Sequence, residues 1–71
     1  MFISGTQVEI YDGKITYTSK VLINFDLVTY IEPTRYKPFE NRFTRIHIGK
    51  SFIIIDKPFD EVVDKLKIKV A

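Results

Sequence analysis

The dipeptide Asp12-Gly13 stands between two runs of alternating apolar and polar residues, and no other feature restricts the fold of this chain so tightly. Both central positions of a type I′ turn need φ > 0, which Gly adopts freely and Asp better than most residues. On either side, Val8 and Ile10, then Ile15 and Tyr17, alternate with polar neighbours in the period-2 pattern of a strand half buried on a sheet. The segment QVEIYDGKITYTS, residues 7–19, therefore predicts a β-hairpin.

Further turns divide the rest of the chain. Residues 21–23 read as a short strand closed by the turn residues Asn24, Phe25 and Asp26. In LVTYIE, residues 27–32, Val28 and Tyr30 are expected on one side of a strand and Thr29 and Ile31 on the other, with Pro33 ending the ladder. Residues 33–41 hold two prolines and show no period, which predicts a loop. FTRIHIGKSFIIID, residues 43–56, predicts a second hairpin with Gly49-Lys50 at its turn. Ile46 and Ile48 share one face there, and Phe43, Arg45 and His47 the other. Its second strand is apolar on both faces, through Phe52 and Ile54 and through Ile53 and Ile55, as a strand covered on both sides would be.

Residues 57–70 change period. Phe59, Val62, Val63, Leu66 and Val70 form one helical stripe, with Pro58 suited to the first helical position. Asp60 and Glu61 near the start and Lys67 and Lys69 near the end match the helix dipole, and Glu61 and Lys65 are spaced as an i,i+4 pair. The expected fold is α+β: one domain, residues 1–71, with a small, strongly curved antiparallel sheet of four to six strands and one C-terminal helix. Its expected core is Val8, Ile10, Ile15, Val21, Ile23, Ile31, Ile46, Ile48, Ile54, Phe59, Val62, Val63 and Leu66.

With 71 residues and no cysteine, no disulfide or thiolate metal site is available. The absence of cysteine suits a reducing cytoplasm. The start, MFISGT, is not expected to be a signal peptide, and the longest uninterrupted apolar run, residues 52–55, falls far short of the ~20 residues that span a bilayer. No membrane partner is expected beyond a peripheral contact. A chain so small and unstapled gains from oligomerisation, and the Ile53/Ile55 face is either covered within the domain or a subunit interface; a homo-oligomer is expected.

Catalysis lacks its usual ingredients. There is one histidine, the three glycines are isolated, no serine sits in a nucleophile motif, and Asp60-Glu61 is accounted for by the helix start. The chain is not expected to be an enzyme or to carry a cofactor or metal. Charge points elsewhere. The net charge is only +2, yet between Thr34 and Lys50 lie Arg35, Lys37, Arg42, Arg45 and Lys50 against the single acid Glu40. Two readings stand side by side. In one, Arg35, Tyr36, Lys37, Arg42, Phe43, Arg45 and His47 hold an anionic ligand, with Arg forks on phosphate oxygens and Tyr36 and Phe43 stacking. In the other, the charges form a solvated loop and a guarded strand, and Tyr36 and Phe39 fold the loop back onto the sheet.

Residues 21–67 also resemble the short FlbD-type proteins, named for flagellar and swarming motility. The resemblance is carried by Asn24, Asp26-Leu27, Ile31-Glu32, Gly49-Lys50, and Glu61-Val62 with Leu66. The chain differs in its full N-terminal hairpin and its longer, more basic 33–42 segment. Small bacteriophage proteins look similar too. These resemblances imply a small, non-enzymatic, cytoplasmic accessory protein. The leading expectation is an oligomeric binding module for a phosphate-bearing ligand, in one form a phage anti-defence sponge for a nucleotide signal. The alternatives are an accessory factor docking a protein partner, and a single-stranded nucleic-acid binder that uses Tyr30, Phe43 and Arg45.

Overall fold

A computed structural model of the chain describes the backbone of residues 1–70 and the side chains of residues 1–66. It contains β1 (Phe2–Tyr11), β2 (Lys14–Asn24), a 3-10 turn (Phe25–Leu27), β3 (Tyr30–Pro33), β4 (Thr44–Ile48), β5 (Ser51–Ile55) and α1 (Phe59–Val70). The strands form one antiparallel sheet in the order β2-β1-β5-β4-β3, so the expected α+β fold is the one observed. No described helix is long and apolar enough to cross a membrane.

Both turns follow from their residues. Asp12 and Gly13 have φ of 52° and 73°, the left-handed values that a type I′ turn needs. Gly49, at φ 61°, takes the first central position between the paired Ile48 and Ser51. The first hairpin is larger than its sequence suggests. β1 begins at Phe2, despite the Ser and Gly of its first half, and residues 21–23 are not a separate strand but the end of an eleven-residue β2. Between Glu9/Tyr17 and Ile10/Ile15 the register shifts by one residue. This bulge leaves Thr16 over and breaks the simple alternation expected of Ile15 and Tyr17. Val28 and Thr29 precede β3, and Val28 packs with the helix-side core rather than sharing a side with Tyr30.

The sheet must curl. β2 and β3 lie at opposite edges, yet only residues 25–29 join them. Four strand spacings of ~4.8 Å measure about 19 Å. That is near the limit of so short a link when fully extended, and this link contains a 3-10 turn.

The concave side holds Ile23, Ile46, Ile55 and Val62, joined by Val21, Ile31, Ile48, Ile53 and Leu66. α1 thus covers the Ile53/Ile55 face: Ile55 is fully buried, and that face is not a free interface. On the outer side, Val8, Phe43 and Ile54 form a second cluster beneath Tyr36 and Phe39. The loop of residues 34–43 folds back over this cluster, as the plainer reading expects. Of the expected core, Val8, Ile23, Ile46, Ile54 and Val62 are buried, and the other members are half-buried. Ile3, Phe43 and Ile55 complete the buried apolar set. Thr44 is buried as well, its hydroxyl donating to the Lys57 carbonyl at 2.7 Å, and Thr34 donates to the Phe43 carbonyl at 3.1 Å.

The helix starts one residue later than its Pro suggests, with the Pro58 carbonyl accepting from the Glu61 and Val62 amides. Glu61 forms its ion pair with Lys57, at 3.8 Å, instead of the expected Lys65. Lys65 sits beside the like-charged Lys57, which pulls its ammonium below the ordinary lysine range. The expectations for Lys67, Lys69 and Val70 fall on side chains outside those described.

Truncating the concave core is expected to be severe. Ile46→Ala or Ile55→Ala should each cost about 2–5 kcal/mol, measured by urea denaturation, whereas Leu27→Ala, at an exposed apolar side chain, should stay within about 0.5 kcal/mol.

Candidate functional site

Alternation along three neighbouring strands builds an outward-facing surface. With Ile31, Ile46 and Ile53 turned toward the helix, their neighbours must turn away from it. Pairing then sets them in rows: Tyr30 lies opposite His47 and His47 opposite Phe52, while Glu32 lies opposite Arg45 and Arg45 opposite Ile54.

The first row is aromatic. Tyr30 and His47 stack with centroids 4.0 Å apart and planes 14° from parallel. Phe52 closes the other side, its centroid 5.7 Å from the His47 ring and tilted by 48°. His47 is largely covered by these two, but Tyr30 is 53% and Phe52 51% exposed. The second row is ionic. His47 Nε2 lies 2.5 Å from Glu32 Oε2, and Arg45 Nη1 lies 3.9 Å from the same oxygen. One carboxylate therefore serves two basic groups. Arg45 also donates from Nη2 to the Tyr36 hydroxyl at 2.8 Å, and its guanidinium carbon lies 4.9 Å from the Phe52 centroid and 5.7 Å from that of Tyr36. Arg45 Nε is buried with no hydrogen-bond partner. Beyond Tyr36 and Phe52 opens a groove of about 440 Å³, floored by Val8, Ile10 and Ile54.

The basic cluster expected from the sequence does not stay together. Tyr36, Arg45 and His47 converge. Arg42 lies elsewhere, in a bidentate pair with Asp56, Nε to Oδ1 and Nη2 to Oδ2 both at 3.0 Å. Asp56 thereby holds the guanidinium above its ordinary value. The Arg42 guanidinium also covers the rings of Phe43 and Phe39 at 5.1 and 5.6 Å. Phe43 is fully buried and has no face to offer a ligand; the expected stacking residue is a core residue. Its place just before β4 turns it outward as expected, but the loop covers it there. Arg35 and Lys37 flank Tyr36, both exposed, and make no ion pair among the described residues.

Sequence reasoning misses Glu32 and Phe52. Glu32 reads as the residue before a strand-ending Pro and as part of the FlbD-type pattern, not as a site residue, and Phe52 only as one of four apolar residues in a row. The signal that finds both is pairing register: aligning TRIHI with SFIII across the Gly49-Lys50 turn places Phe52 beside His47, and pairing β3 with β4 places Glu32 beside Arg45.

Phe43→Ala should destabilise the fold by about 3–5 kcal/mol, while Arg42→Ala breaks only a partly exposed pair and should cost far less; thermal or chemical melts of the two variants check the assignment. No family model matches the chain, and searches of curated proteins and of solved structures find no match either.

Proposed function

We propose that this chain is a non-enzymatic, cytoplasmic binding module that receives a planar, phosphate-bearing ligand, such as a nucleotide, on its outer sheet face. The observation that carries this reading is the Tyr30–His47–Phe52 row, whose two outer rings are half exposed on the face that α1 leaves uncovered. Half-exposed rings forgo the stabilisation that burial would give a domain with little core to spare, and an aromatic platform on a sheet suits the stacking of a base.

Charge divides the work between platform and rim. The Glu32 carboxylate lies beside both Arg45 and His47 and offsets the guanidinium charge, so the platform is not a concentrated basic patch. Phosphate oxygens would be met by Arg35 and Lys37 beside Tyr36, and by the guanidinium edge of Arg45, which is 29% exposed. Compared with the cluster read from the sequence, Tyr30 and Phe52 enter the site and Arg42 and Phe43 leave it. Sequestration of a nucleotide signal by a phage protein is the concrete form of this reading, supported by the phage-like look of the chain. The second reading, docking of a protein partner as in a FlbD-like accessory factor, draws on the same residues, because Tyr and Arg dominate the energetics of many interfaces.

Because tyrosine emission would sum four residues, Tyr30 among them, isothermal titration calorimetry is the label-free readout that serves every variant. Against a panel of mono- and dinucleotides, the wild type should bind at least one member. Phe52→Ala and Tyr30→Ala should each lose about tenfold or more in affinity, from a stack worth ~1–3 kcal/mol per base. Arg42→Ala should bind as the wild type does. Losses that are equal for Arg42 and Phe52, or no binding across the panel, refute the nucleotide reading. A single-strand binder would be separated by a steep fall in affinity with salt.

A further inference from the structure

The sheet has two edges, and they are built differently. β3 is four residues long and ends in Pro33, which offers no amide to a further strand. β2 is eleven residues long, KITYTSKVLIN, with no proline, no acid and only Lys14 and Lys20 for charge. Its inner side pairs with β1 along its whole length, and its outer side pairs with no strand among the described residues. Side chains beside that open edge include Tyr17 at 52% and Leu22 at 67% exposure. A long, β-prone, weakly charged edge with exposed apolar side chains is a template for another strand.

We propose that the strand it takes is β2 of a second copy, paired antiparallel about a two-fold axis at Ser19, so that two five-stranded sheets join into one. A two-fold axis perpendicular to the sheet keeps each face with its like, so only residues of the same parity meet, and charge then separates two neighbouring registers. Centring on Lys20 sets like charges opposite one another, which destabilises. Centring on Ser19 sets Lys20 opposite the partner's Thr18 and Tyr17 opposite the partner's Val21, an aromatic and β-branched pair of the kind that stabilises sheets. This register uses residues 17–21, which lie between the bulge and the turn into β3 and form an uninterrupted stretch of the ladder. In this register no two charges stand directly opposite, and the two copies of Lys20 meet only as diagonal neighbours, so a second copy needs no complementary acid. The inference stands on β2 alone and is independent of the ligand reading.

Because the chain has no cysteine, Ser19→Cys introduces a single thiol, and the axis would bring it against its own copy. Directly opposed residues in an antiparallel ladder have Cα atoms about 4.5–5.5 Å apart, within disulfide reach. Mild oxidation should link two Ser19→Cys chains rapidly through their introduced thiols, with the exposed turn variant Lys50→Cys far slower. Sedimentation of the wild type should give twice the 8.3 kDa chain mass. Thr18→Lys should weaken the dimer about tenfold, through two symmetric Lys–Lys contacts, and Thr18→Glu should strengthen it; circular dichroism melts confirm that both variants fold. Four results overturn the proposal. They are a mass of one chain at ~1 mM (a dissociation constant well above that concentration), a higher-order assembly, crosslinking of Ser19→Cys no faster than that of Lys50→Cys, or equal effects of Lys and Glu at position 18.

Discussion

Burial of the β4–β5 hairpin on both faces is the constraint from which the rest of the structure follows. Ile54 and Ile55 are consecutive residues that point in opposite directions, and both are buried. Ile55 meets Ile46 and Val62 on the helix side, and Ile54 meets Val8 and Phe43 on the loop side. A single layer of helix would satisfy only one of them. The chain therefore needs a second cover, and the 34–43 loop supplies it through Tyr36 and Phe39. This double use of two short strands yields two cores from 71 residues without a disulfide, the staple on which many domains of this size rely.

The second cover is partial, and that partiality makes the surface interesting. The loop shields Phe43 and Ile54 but stops short of the row at Tyr30, His47 and Phe52. Tyr36 marks the boundary, packing on the outer cluster with its ring while its hydroxyl accepts from Arg45. Electrostatics at this boundary are set by Glu32, which stands within reach of both His47 and Arg45. The arrangement is an amphipathic platform rather than a basic patch, with its uncompensated positive charge placed on the loop beside it.

Much of the architecture is legible in residue order. Asp12-Gly13, the alternation on either side of Gly49-Lys50, and the helical stripe that begins at Phe59 are local signals, each fixed by backbone sterics or side-chain period within a few residues. Long-range relations are not encoded that way. The continuity of β2 through residues 19–21, the bulge at Thr16, and the insertion of β1 beside β5 depend on partners many residues away. The candidate site residues divide along the same line. Arg45 and His47 sit on a strand whose alternation turns them outward together, so their shared face is predictable. Arg42 and Phe43 are their neighbours in sequence but not in chemistry. Asp56, fourteen residues away, neutralises the first, and the returning loop buries the second.

By itself, then, the sequence determined the hairpin turns, the strand faces of the second hairpin, the helix and the small number of available chemistries, because each depends on interactions between near neighbours along the chain. Only the tertiary structure decided which face the helix covers, where Glu32 and Phe52 stand relative to His47, and which cations remain without a carboxylate. Those outcomes depend on register and on loop closure. A one-residue slip would turn Arg45 and His47 inward and Ile46 out. Charge and aromatic content are therefore properties of the sequence, whereas a site is a property of pairing.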